Sequence, residues 1–86
     1  MNFGQAIEAL KNGKRVSRKG WNGKNQWVFM INGTDLQNVL KYGYGEYENE
    51  PTITSVLAIK TSANQIQIGW LASQSDMLSD DWEIAS

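Results

Sequence analysis

The chain has no cysteine, no histidine and a single proline. The first two absences exclude disulfides, thiolate- or imidazole-ligated zinc, and most of the nucleophile–base pairs used in hydrolysis and group transfer. An enzyme built from this sequence would need a carboxylate pair, an activated lysine or a metal held by carboxylates alone. Long apolar runs are also missing. Nothing approaches the roughly 20 residues of a membrane-spanning helix and no signal peptide is visible, so a cytoplasmic protein with no membrane partner is expected.

At 86 residues the chain reads as one domain, spanning 1–86. A domain this small buries only about 60% of the surface its unfolded chain exposes. With disulfides and zinc excluded, association with further copies is the remaining route to a stable core, and a homo-oligomer is expected. The net charge of −1 argues against general binding to DNA or RNA. The distribution of charge says more. Lys11, Lys14, Arg15, Arg18, Lys19 and Lys24 place six of the eight basic residues in one short segment, whereas Glu46–Glu50 and the C-terminal segment are acidic. Such asymmetry suits either a local anion site or complementary subunit faces.

Asn2 to Asn12 has helical periodicity, with Phe3, Ala6, Ile7 and Leu10 on one stripe. Asn2 and Gln5 are spaced as a capping box, and Gly13 supplies a left-handed stop. Lys14–Ser17 is a short strand, followed by a glycine-bounded turn at Arg18–Lys24. Gln26–Ile31 is a strand with Trp27, Phe29 and Ile31 on one face and Val28 and Met30 on the other, a pattern that asks for cover on both sides, from a helix or another subunit. Asn32-Gly33 signals a turn, and Thr34 is placed to cap a short helix carrying Leu36, Val39 and Leu40. Tyr42–Glu48 reads as a mobile, tyrosine-rich loop, with partner contact and simple solvation both open. Thr52–Lys60 is a β-branched strand, Thr61–Asn64 a hairpin turn and Gln65–Trp70 the returning strand. Ser73-x-x-Asp76 has the spacing of a second capping box, opening a helix over Gln74–Ser79, and Trp82 and Ile84 alternate in a last strand. Adjacent strands on short turns predict an α+β fold: an antiparallel sheet of about five strands, an N-terminal helix packed on it, and one or two short helices.

Two stretches carry chemistry. In Arg18-Lys19-Gly20-Trp21-Asn22-Gly23-Lys24, an indole sits in a loop among three cations, where a base could stack and phosphate oxygens could meet cations and glycine amides. Anchoring of Trp21 against the sheet or in a subunit interface is an equally open reading. In the second, Trp70 precedes a helix N-terminus, setting a flat apolar face beside unpaired amides; on pattern alone a capped turn with two core tryptophans is the stronger reading. Gly20-x-x-Gly23 alone is too weak to mark a nucleotide fingerprint. Asp76, Asp80 and Asp81 lie close enough to suggest a divalent cation. However, Asp80 and Asp81 would point to opposite sides of a strand and Asp76 already caps a helix, so no metal site is expected.

These two motifs, the latter as Trp70-Leu71-Ala72-Ser73-Gln74-Ser75-Asp76-Met77-Leu78 with Asp81-Trp82-Glu83, resemble the bacteriophage and prophage family called Thoeris anti-defence 2. The opening Met1–Leu10 and the Lys60-Thr61 hairpin fit as well, so the resemblance spans the chain apart from 33–51. It implies a non-catalytic homotetramer without cofactor. Such a protein holds a cyclic ADP-ribose isomer of the glycocyclic type between subunits, keeping the Thoeris effector off; some relatives also hold cyclic dinucleotides at another site. On this footing Trp21, Trp70, Leu71 and Ala72 form a base-facing wall, and Asn22, Ser73, Gln74 and Asp76 give polar contacts. The amides of Gly20 and Gly23, with Arg18 or Lys24, face the diphosphate. Trp70–Asp76 is then pocket and Met77–Trp82 core. The chain departs from the family pattern at Ile68-Gly69, where a proline often precedes the tryptophan, and in its tyrosine-rich middle. A protein-docking module and a nucleotide-degrading enzyme are the competing readings.

Overall fold

A computed structural model describes residues 1–40 and 51–85; the tyrosine-rich loop expected at 42–48 lies outside them. Helix α1 (Phe3–Lys11) is set by its first turn. The Asn2 side chain accepts from the Gln5 amide at 2.8 Å and the Gln5 side chain accepts from the Asn2 amide at 2.9 Å, so the capping box forms as its spacing predicts. Gly13 follows the helix at φ +80°. The Lys14 amide is still spent on the helix, donating to the Ala9 carbonyl at 3.0 Å. Strand β1 therefore runs over Val16–Arg18 rather than Lys14–Ser17.

Strands β2 (Trp27–Ile31), β3 (Val56–Lys60), β4 (Ile66–Ile68) and β5 (Trp82–Ile84) complete a five-stranded antiparallel sheet in the order β4-β3-β2-β1-β5. Helices α2 (Gly33–Leu40) and α3 (Gln74–Leu78) are short, and the fold is the α+β class the sequence predicts. Residues directly opposite one another in an antiparallel ladder share a face. The registers Val16↔Val28, Val28↔Ile59, Val16↔Ile84 and Arg18↔Trp82 thus collect one face. Helix α1 packs Ala6 and Leu10 against it, and with Val16, Val28 and Trp82 these make the buried core. The other face carries Trp27, Phe29 and Ile31 beside Val56, Ala58, Ile66 and Ile68, as the pairs Phe29↔Ala58, Ile31↔Val56 and Ala58↔Ile68 require. There the Arg15 guanidinium and the Lys60 ammonium lie 5.0 and 4.7 Å from the Trp27 ring centroid.

Four expectations need correction. Asn32-Gly33 begins α2 instead of turning the chain: the Asn32 side chain accepts from the Thr34 amide at 2.8 Å and its carbonyl from Leu36 at 3.0 Å, so Asn32, not Thr34, does the capping. Residues 52–55 are not in the ladder. Gly33 donates to the Ser55 hydroxyl at 3.2 Å and lies directly beneath the Ile53 carbonyl, so this segment is drawn onto the start of α2. Strand β4 stops at Ile68, because Gly69 and Trp70 both donate to the Leu57 carbonyl at 2.8 Å and so share a single acceptor. Of the stretch Met77–Trp82, Trp82 is buried, but Met77 and Leu78 are exposed and do not join the core.

Strand β5 pairs with β1 rather than with the preceding β4. The chain from β4 must therefore cross the end of the sheet, and Trp70 and α3 ride on that crossing. Strands β1 and β2 share a single paired position, so the loop between them stands away from the sheet. A cleft opens between loop and crossing.

Candidate functional site

The cleft is built around three indoles. Trp82, at the start of β5, is held by α1 through Phe3 (centroids 5.6 Å apart) and by its own Nε1, which donates to the Asp76 carbonyl at 2.9 Å. Trp21 and Trp70 each meet Trp82 edge to face, at 5.4 and 6.3 Å, and meet each other at 6.2 Å. Such T-shaped contacts bring the positive ring edge to a negative ring face. Trp70 reaches this position because Gly69 takes φ +96° and donates its amide to Leu57. A proline could do neither.

One carboxylate ties the two motifs together. Ser73 caps α3, its hydroxyl accepting from the Asp76 amide at 3.1 Å while Asp76 Oδ2 accepts from the Ser73 amide at 3.0 Å. Oδ1 of the same group accepts from Arg18 Nη1 at 2.8 Å and from the Trp21 indole at 3.0 Å. Asp76 is only 8% exposed. Burial pushes its pKa up, but the hydrogen bonds from Trp21, Arg18 and Ser73 outweigh that and hold it at about 2. Arg18 also donates through Nε to Asp81 at 2.8 Å, and Asp81 Oδ2 accepts from the Gly20 amide at 2.8 Å. Hydrogen bonding to Asp81 and then Asp76 raises the Arg18 pKa, and the bond from Arg18 is the main cause lowering that of Asp81.

A cavity of about 270 Å³ lies in the cleft, lined by Trp21, Asn22, Gly23, Gln26, Ile59, Trp70 and Asp76. Five residues expected at a site, drawn from both motifs, therefore meet: Trp21, Asn22, Gly23, Trp70 and Asp76. Others do not line it. Leu71 points outward at 90% exposure, and Ala72, Ser73 and Gln74 lie on the α3 side without reaching the cavity. The Gly20 amide and the Arg18 guanidinium are consumed by Asp81 and Asp76, so they form a buttress behind Trp21 rather than a seat for an anion. Lys24 is exposed on the same loop and, among the described residues, in no ion pair. Gln26 and Ile59 escaped the sequence reading. Ile59 is legible afterwards from its register with Val28, whereas nothing in the sequence marks Gln26.

Among the described residues no group of three or more His, Cys, Asp or Glu could hold a metal ion, and no helix is long and apolar enough to cross a membrane. Asp76 and Asp81 are bridged by a guanidinium instead. Fold and site thus define a small α+β domain with one indole-walled cleft buttressed by an ion-paired arginine. The profile of the Thoeris anti-defense 2-like domain matches residues 1–85, and the chain belongs to that family. It is 45% identical over 86 residues to the Thoeris anti-defense 2 protein of Bacillus phage SP01, an alignment covering all of this chain and 96% of that protein. Membership places it with phage proteins that act against the Thoeris defence.

Proposed function

We propose that the protein sequesters a cyclic ADP-ribose isomer of the glycocyclic type without cleaving it, and so keeps the Thoeris effector inactive. The observation that carries this reading is the cleft lined by Trp21 and Trp70 together with Asn22 and Gln26. A purine stacked on the free face of either ring gains about 1–3 kcal/mol. The diphosphate goes outward toward Lys24, since the inner wall presents the Asp76 carboxylate. The side chains lining the cavity support retention without reaction. They include no Cys, Ser, Thr, Lys or His, and the one carboxylate, Asp76, already accepts three hydrogen bonds and is held at a pKa of about 2, so it is a poor general base.

The cavity also bears on assembly. Its volume lies just below the roughly 300–1,000 Å³ of sites that enclose a drug-sized ligand, so a cyclic dinucleotide-sized molecule would project from it. A second copy would cover the projecting half, and we propose a homotetramer on that basis. The apolar face of Trp27, Phe29 and Ile31, with Ile66 and Ile68 still 53% and 58% exposed, offers area for further subunit contact.

The reading is tested by incubating purified protein with the glycocyclic isomer, removing free ligand, denaturing by heat and analysing the supernatant. Release of intact signal in near-stoichiometric amount is expected. An altered nucleotide would establish an enzyme instead. If neither this isomer nor a cyclic dinucleotide is retained, the protein is a docking module and the proposal fails.

A further inference from the structure

We propose that Gln26 reads the hydrogen-bonding edge of the bound base and makes the cleft selective for a 6-aminopurine. The inference rests on the ligand reading above and names the residue that would give it base specificity.

Gln26 is the last residue before β2 and lines the cavity together with Trp21 and Trp70. Its carboxamide makes no hydrogen bond among the described residues, whereas Asp76, another polar group lining the cavity, has both carboxylate oxygens engaged. The amide is half-buried, lines the cleft and has no protein partner among the described residues, so both its donor and its acceptor are available to a ligand. Gly23 gives a second and independent observation. Its φ is not positive, so the backbone there does not demand glycine. What glycine provides is space: a Cβ at position 23 would fall on the Gln26 amide group and displace it. The loop leaves out a side chain where the amide sits, and this leaves room for the amide beside the cavity.

A carboxamide presents one donor and one acceptor in a plane. The amino group and adjacent ring nitrogen of adenine present the complementary pair, the same match that lets glutamine recognise adenine in nucleic acids. A purine lacking the 6-amino group keeps its ring nitrogens and stacks on the same indoles, but it leaves the amide oxygen without a donor. Stacking and the bond from the amide N–H to the ring nitrogen are therefore shared between the two bases, and the bond from the 6-amino group is not.

The test compares a glycocyclic ADP-ribose isomer with its counterpart carrying purine in place of adenine, measured by calorimetry on the wild type, Gln26→Met and Gly23→Ala. Methionine keeps the length of the side chain and removes both polar atoms. The alanine at 23 keeps Gln26 and displaces its amide, a shift that a flexible side-chain end absorbs without unfolding the loop. The wild type should prefer the adenine ligand by about 3- to 10-fold, the worth of one neutral hydrogen bond. In both variants that preference should fall to near unity, through a larger loss of affinity for the adenine ligand than for the purine ligand. Equal losses for both ligands, or an unchanged preference, would overturn the assignment and leave Gln26 as part of the wall. A wild type that binds neither ligand overturns it together with the sequestration reading, and so separates the two failures.

Discussion

Replacing Asp76 by asparagine removes one charge and almost no volume, and so isolates what the shared carboxylate contributes. The folded group titrates at about 2 against an ordinary 3.8. A difference of nearly two units corresponds to about 2–3 kcal/mol at neutral pH. That is consistent with a mostly buried ion pair, in which the Arg18 and Asp76 side chains are 15% and 11% exposed, losing one partner. Because the folded pKa is depressed, the contribution is complete above about pH 4 and is lost as the pH falls through the unfolded value toward the folded one. About half should be gone near pH 3. Urea unfolding followed by far-ultraviolet circular dichroism, at one protein concentration and several pH values, reads this directly. The urea midpoint of Asp76→Asn at pH 7 should lie about 1–3 M below that of the wild type, with the gap narrowing steadily below pH 4. A gap under about 0.5 kcal/mol at pH 7, or one that stays constant down to pH 3, would refute the carboxylate's role as the tie between the two motifs.

Two further substitutions test local geometry. Gly33→Ala puts a methyl group into the Ile53 carbonyl, where backbone and not a flexible side chain must yield. It should cost about 1–3 kcal/mol and lower the thermal midpoint by about 4–8 °C for each kcal/mol. Ser73→Ala removes the cap of α3 and should cost about 1 kcal/mol, with faster hydrogen exchange at the Asp76 amide, whose acceptor is lost.

Features fixed by neighbours in the chain were legible in advance. Both capping boxes, Asn2 with Gln5 and Ser73 with Asp76, formed as their spacing predicts, because a box needs only three residues of separation. The 61–64 hairpin followed for the same reason, with Asn64 taking the left-handed position of the turn at φ +62°. Long-range partners were not legible. Arg18 looked like an anion donor because the carboxylates that occupy it lie 58 and 63 residues away. The Gly20 amide was misread for the same reason. Gln26 belongs to neither motif, and only the splaying of β1 from β2 brings it to the cavity. The exposure of Leu71, Met77 and Leu78 also depends on how a crossing segment lies over a sheet edge, which hydrophobicity alone does not specify.

The indole cluster has an optical consequence. Three of the four tryptophans stand within 5.4–6.3 Å of each other's ring centres at steep angles, close enough for excitation to pass among them and for their transitions to couple. The fourth, Trp27, sits on the opposite face of the sheet between Arg15 and Lys60. A molecule entering the cleft would quench and shift the emission of the cluster while leaving Trp27 as an unperturbed internal standard. The protein thus carries its own ratiometric dye, and occupancy can be followed in unlabelled samples at concentrations far below those calorimetry needs.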